Sequence, residues 1–450
     1  MLRLLSLVGI LFALAAGECA WPQSPESGVE TFTIYTEHPR LFLRPNRLRL
    51  LRRERERKSL RWEQFDLLMK GGAPMLEPGF AGALYYRIAD DRDSGRKAIE
   101  WAAKTATAKD TDIRQIALVF DWCQDLLTQS ESAVLTARLA KALTAAPGIT
   151  VDNERSRLLA AIVLAGHAPK VSETGIADFF DRAWKQRLAN LKDARAPIPL
   201  DQTFAFYEIL HAVRDNLNAD LREQDPKYFK ELPIGHLLSN YPAAFPAAES
   251  EYRIPAKMGT GEPDLRTAAV SRAAELAMVA FDANAPESQV LQGWLMNDRF
   301  VMRGTFGIPY EMLWANPYQP GLSYYHVPLV FHDDTFGRLY VRSSWEDSAT
   351  WLGFFDGQLQ LFQDGKITML NPEVSREPLD LDEAVVFFGK TNHRFRTPSK
   401  EVVDAFIVGL QPNRIYRVEI DAEELREDKS DPGGILYLKG LKGDTGIRFQ

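Results

Sequence analysis

Tyr207, His211 and Asp215 are spaced by four residues each, which places them on one stripe if the stretch is helical. A phenol can serve as base or acid in a proton transfer. An imidazole beside it can tune the hydroxyl, and a carboxylate can orient the imidazole. Phe206, Leu210, Val213 and Leu217 occupy the neighbouring face and are expected to pack inward, so the polar stripe borders the core. Arg214 and Asn218 flank it, which also fits the solvated edge of an ordinary helix. A second arrangement uses carboxyl groups: Glu154 with Asp201 or Glu208 supplies the acid and base that glycoside hydrolysis requires.

Other polar groups are less well placed. His326 and His332 are six apart with Pro328 between them, and only Asp333 or Asp334 offers a further ligand, so no metal is expected. The glycines of Met258 to Arg266 follow no strand and lack dinucleotide spacing, so no cofactor is expected either. His236 and Tyr241 fall in a loop-like stretch that can rim a cleft. Tyr310, Trp314, Tyr318, Tyr324 and Tyr325 can stack on sugar rings or seal an interface between two parts of the chain. Arg47 to Lys58 is basic, but Glu54 and Glu56 interleave with it as on a solvated helix.

These residues need elements to position them. From Asn46 to Phe300 the apolar spacing is repeatedly helical, with about ten helices expected. Asn46 is expected to cap the first of them. Later helices are predicted over 155–165, 176–191, 204–221, 265–281 and 288–300. Helices apolar on many sides alternate with amphipathic ones, a pattern that suits a double-layered toroid. After Tyr310 the period changes to two: Leu339 and Val341 alternate with Tyr340 and Arg342, and Leu359 and Leu361 with Gln358 and Gln360. Asp364-Gly365 predicts a type I′ hairpin, because both positions need positive φ. Strands are predicted over 384–388, 406–410, 416–420 and 435–438. The expected fold class is multidomain α+β, with an N-terminal (α/α) toroid followed by an antiparallel β-sandwich-like region. The expected division is a signal peptide at 1–20, the helical domain at 21–305 and the β-rich domain at 306–450.

The leader follows from Arg3 and the uncharged run Leu4 to Ala16, which is too short for a comfortable membrane span, with Glu18 and Pro22 close behind. A periplasmic or secreted location without a stable membrane anchor is expected. Cys19 and Cys123 cannot form a disulfide framework, so packing must supply the stability. A formal charge of −7 argues against a nucleic-acid partner.

Four segments carry a resemblance: His38 to Leu43, Asn153-Glu154-Arg155-Ser156-Arg157-Leu158-Leu159, Tyr207 within Thr203 to Asp215, and Leu339-Tyr340-Val341-Arg342-Ser343-Ser344-Trp345-Glu346-Asp347. In this order they resemble the heparinase II/III-like, alginate-lyase-like polysaccharide lyases. The resemblance implies β-elimination at a uronic acid of an acidic polysaccharide, with Tyr207 as base or acid and Asn153 on the substrate carboxylate. The stripe adds His211 in support, and substrate contacts are expected from Glu154, Arg157, Asp215, His236, Tyr241 and Trp314. Two departures stand out. Glu154 occupies the place where many members have histidine, which repels a substrate carboxylate unless a cation lies nearby. No histidine occurs between Trp351 and Gly365, where active members carry a histidine-rich motif. The same fold without chemistry, as a glycan-binding or envelope protein, is the alternative.

Overall fold

The computed structural model describes residues 34–450, apart from 109–111, 147, 247–250, 257–264, 299–301, 373, 375–376, 390–393, 398–401 and 450. The leader expected at 1–20 lies outside the described residues. Among the described residues, those from Pro45 to Trp314 form helices joined by turns, with one short antiparallel pair, Phe245–Pro246 and Glu251–Tyr252, and those from Val330 onward form strands. Among the described residues no helix is long and apolar enough to cross a membrane.

Helices outnumber the expectation: fourteen α-helices are present among the described residues. Three of those not foreseen begin with Pro or Gly, Pro78–Ala89, Pro226–Leu238 and Gly307–Trp314, and a fourth, Arg92–Thr105, starts behind its Asp91 cap. Proline is tolerated in a first turn because its missing N–H has no intrahelical partner there. The expected start at Asn46 moves as well. Pro45 opens that helix, and Asn46 sits inside the first turn. Leu265–Phe281 forms as predicted.

The strands form three sheets. The first is an antiparallel meander of Val330–Asp333, Arg338–Arg342, Trp351–Phe355, Gln358–Gln363 and Lys366–Leu370. Asp364 and Gly365 have φ of 51° and 73°, as the type I′ turn requires, and Asp356-Gly357 makes a second such turn at 50° and 76°. The second sheet runs Leu436–Leu441, Val403–Val408, Ala384–Phe388, Leu379–Leu381. Here the expectation of purely antiparallel pairing fails, since Ala384–Phe388 and Val403–Val408 are parallel. The chain crosses between them through Arg394–Arg396, a strand of the third sheet, and so returns in the same direction. The third sheet runs Arg394–Arg396, Gly446–Phe449, Ile415–Ile420, Glu424–Lys429.

Alternation stacks these sheets in layers. Leu339, Val341, Leu352 and Phe354 of the first meet Val386, Phe388, Phe406 and Val408 of the second. Val385, Phe387, Ala405 and Ile407, on the second sheet's other face, meet Val418, Ile447 and Phe449 of the third. The remaining face of the first sheet turns to the helices: Trp351 donates its indole N–H to the Leu238 carbonyl at 2.9 Å, and the Tyr241 hydroxyl lies 2.7 Å from Gln360 Oε1. Tyr340 shares that face because it alternates with Leu339 and Val341.

Candidate active site at the helix–sheet junction

Tyr207 is buried at the centre of Thr203–Leu217, a helix whose residues from Thr203 to Val213 are all buried. Its ring meets Phe281 edge-on, and burial raises its pKa. His211 packs against Trp314 and Phe281, with ring centroids 4.5 and 4.9 Å away. Its Nε2 lies 2.9 Å from the Ala277 carbonyl, and its Nδ1 lies 3.2 Å from an Arg214 nitrogen. Nε2–H therefore donates and Nδ1 accepts, the pattern of a neutral imidazole. Burial, reinforced by Arg214 and Arg47, holds its pKa well below the ordinary histidine value. Asp215 accepts from Arg214 Nε at 2.9 Å rather than from His211. The three share a helix face, but the polar atoms of His211 and Asp215 turn to other partners.

Asn153 lies in the first turn of Val151–Val163, whose cap is Thr150, and its Oδ1 accepts from the Gly148 N–H at 2.8 Å. Glu154 has the nearby cation that its position calls for, since Arg187 Nη2 sits 2.7 Å from its carboxylate. Burial still raises the Glu154 pKa against the opposing pull of Arg187. Arg157 donates to the carbonyls of Ala142, Leu143 and Ala145, closing the C-terminal end of Gln129–Thr144. Trp314 is buried against Phe42 and His211. Glu208 is fully buried and bidentate to Arg114 at 2.7 and 2.8 Å, with Arg155 at 3.2 Å. Glu154, its proposed partner in hydrolysis, is committed to Arg187. His332 Nε2 lies 2.8 Å from Asp431, and no cluster of three or more metal-binding side chains occurs among the described residues.

His236 takes a different position. It belongs to Pro226–Leu238, a helix despite Pro233 and Gly235 in its interior, and not to a loop. Gly235 lets the Phe331 ring approach: a Cβ there would lie 2.8 Å from two ring carbons. The result is a cleft between this helix and the first sheet, with about 80 Å³ of enclosed space, walled by Tyr228, Glu231, His236, Asp333, Arg338 and Tyr340. That space accepts the reacting atoms of one residue, so a longer ligand must lie across the mouth.

Two features distinguish the cleft. His236 Nε2 lies 3.2 Å from Glu275 Oε1, and both side chains are almost fully buried. The carboxylate requires Nε2–H as donor, which leaves Nδ1 as a free acceptor. Neither His236 Nδ1 nor the Tyr340 hydroxyl has a hydrogen-bond partner among the described residues, although both residues line the cleft and are at most 3% exposed. Unpartnered buried polar atoms cost free energy, so two on residues that line one cavity call for a role. Burial raises the Tyr340 pKa and keeps the phenol protonated. Burial also raises the carboxyl pKa of Asp333 and of Glu231. Arg338 holds its proton firmly, because Tyr340 and Asp356 outweigh the opposing effect of burial.

Sequence reasoning singled out His236 but missed Tyr340, Glu275 and Arg338 as site residues. Alternation had put Tyr340 on the face opposite Leu339, and that was the available signal.

No family model matches the chain, and no curated relative matches it. A solved structure described as a glycoside hydrolase is similar at 10% identity over 83% of this chain and 71% of that one, with a TM-score of 0.31. A likeness that slight supports no inference about chemistry.

Proposed function

We propose that the chain processes an acidic glycan by β-elimination at the helix–sheet cleft, and that the expected chemistry resides on His236 and Tyr340 rather than on Tyr207, Asn153 and His211. The observation that carries this is the pair of unpartnered buried atoms, His236 Nδ1 and Tyr340 Oη, on two residues that line one cavity. His236 Nδ1 takes the proton from the carbon next to the substrate carboxylate. The bond from the neighbouring carbon to the glycosidic oxygen breaks, its electrons leave with that oxygen, and a carbon–carbon double bond forms from the C–H pair. Tyr340 gives its proton to the departing oxygen, and solvent returns the proton from His236 to Tyr340. Arg338 supplies positive charge to the carboxylate as charge builds on it. Glu275 keeps His236 in the tautomer that leaves Nδ1 free.

One observation favours hydrolysis as a second possibility: burial raises the carboxyl pKa of both Asp333 and Glu231, the direction a general acid needs. A single assay separates the two. Purified protein is incubated with a panel of uronate polymers while ultraviolet absorbance and reducing ends are followed. Absorbance from the unsaturated product is expected, and it is expected to vanish in Tyr340→Phe with the fold unchanged. New reducing ends without absorbance would establish hydrolysis, and turnover undiminished in Tyr340→Phe would remove the assignment. Export remains part of the proposal, to be checked by fractionating cells that express the full chain.

A further inference from the structure

The third sheet carries an arrangement of charge that its own fold does not balance. Arg394 and Arg448 are direct cross-strand partners, and Arg448 is also the partner of Glu419 on its other side. Across three strands the outward row therefore reads Arg394, Arg448, Glu419. The next outward row reads Arg396, Gly446, Asp421: Arg396 is the partner of Gly446, and Gly446 exchanges hydrogen bonds with Asp421. Phe395, Ile447, Phe449, Val418 and Ile420 point the other way into the core, which fixes the register of the charged face.

Like charges directly opposite one another destabilise a sheet. Glu419 sits 3.7 Å from Arg448, while Arg394 has no carboxylate partner among the described residues. Arg396 reaches the Asp444 carbonyl at 2.5 Å, which leaves its charge unneutralised. The second row has no side chain at its centre, and the missing side chain opens a groove of about 480 Å³ floored by Gly446 and walled by the three arginines, Glu419 and Asp421. Arg394 and Arg396 are exposed. In a chain of net charge −7 this is a local concentration of cations around a cavity.

We propose that this groove is an anion-binding site for a single strand of acidic polysaccharide, separate from the cleft where the chemistry is placed. Guanidinium groups recognise carboxylate or sulfate oxygens in bidentate fashion, and three of them along two rows suit a ligand that repeats its charge. The surroundings favour a slender chain over a flat anionic surface. On the edge strand Glu424–Lys429 of the same sheet, Glu427 is the cross-strand partner of Arg417 and lies on the groove's side. A membrane pressed onto this face would meet Glu427 together with Glu419 and Asp421, whereas a strand lying in the groove can follow the arginines.

The test is calorimetric titration with a uronate hexasaccharide and with its carboxyl-reduced, neutral counterpart. Wild-type protein is expected to bind the acidic form at least tenfold more tightly, with affinity falling as salt rises. Arg394→Glu is expected to weaken that binding at least tenfold and, without ligand, to raise the melting temperature by placing a carboxylate opposite Arg448. Gly446→Val keeps every charge but fills the groove. A Cβ at that position meets only Asp421 Oδ1 at 3.5 Å, an ordinary contact, so the variant should fold and lose binding to the same degree. Elimination of a short oligosaccharide at the cleft should stay unchanged in both variants. Equal binding of the neutral sugar, no binding by wild type, unaffected binding in both variants, or preferential binding of anionic vesicles would each overturn the proposal. None of those results would bear on the cleft.

Discussion

The His236 imidazole is held by the Glu275 carboxylate at 3.2 Å across two helices, 39 residues apart in the chain, with both side chains removed from water. A carboxylate in that position fixes the ring tautomer and stabilises the imidazolium that forms when the other nitrogen takes a proton. Glu275→Gln keeps the shape but removes both effects. Its kcat on a uronate polymer, measured on folded protein, is expected to fall about 10²-fold or more with KM little changed. An unchanged kcat would show that His236 is not the base.

His211 is expected to make stability depend on pH in mildly acidic solution. Its folded pKa lies well below the ordinary 6.5, so between the two values the unfolded chain binds a proton that the folded chain refuses. The contribution is intact above pH 6.5 and is lost as pH falls below it, by about 1.4 kcal/mol per pH unit for one group. Urea unfolding of wild type and His211→Gln across this range checks it. The difference between the two curves should slope only on the acid side of 6.5.

The buried Glu208 holds Arg114 and Arg155 together. Burial by itself lowers the Arg114 pKa, but Glu208, Tyr310 and Glu77 more than reverse this, so the guanidinium stays charged. Glu208→Gln takes the buried carboxylate from two guanidinium groups and is expected to cost about 3–5 kcal/mol in denaturant unfolding. Replacing Arg114 by Met and Glu208 by Leu together should cost less than the sum of the single changes, since the buried Arg114 charge goes with its partner and Arg155 keeps Asp152 at 3.1 Å.

Gly235→Ala would improve helix propensity by about 1 kcal/mol at an open site. Here the added carbon meets the Phe331 ring at 2.8 Å, and the ring belongs to a packed sheet. The clash should win, with a net loss of about 1–3 kcal/mol. Displacement of Phe331 should also alter the cleft, so calorimetry and turnover of the variant are expected to fall together.

Much of the β architecture was legible because strand alternation is a local property. Leu339 and Val341 announced the core face, and Asp364-Gly365 announced its turn. Helix beginnings were harder, because Pro45 opens the helix that Asn46 was expected to cap and because prolines inside first turns read as breaks. The site was legible only in part. His236 attracted attention although Pro233 and Gly235 disguised the helix that carries it, whereas Tyr340 was read only as a strand position, since nothing local links it to a helix about 100 residues earlier. The Tyr207 stripe misled for the opposite reason. Its spacing was right for one face, but helical periodicity does not reveal that Phe281 and Trp314 close over that face.

The hydrogen bonds from Trp351 to Leu238 and from Tyr241 to Gln360 cross the seam between helices and sheet. Their polar atoms are buried, so prising the two layers apart would expose them along with the aromatic rings around them. Such a junction resists jaw-like opening. The aperture beside Tyr340 is therefore set by the backbone itself, and a bulky ligand must be selected by fit at the rim, with no hinge available to widen the entrance for it.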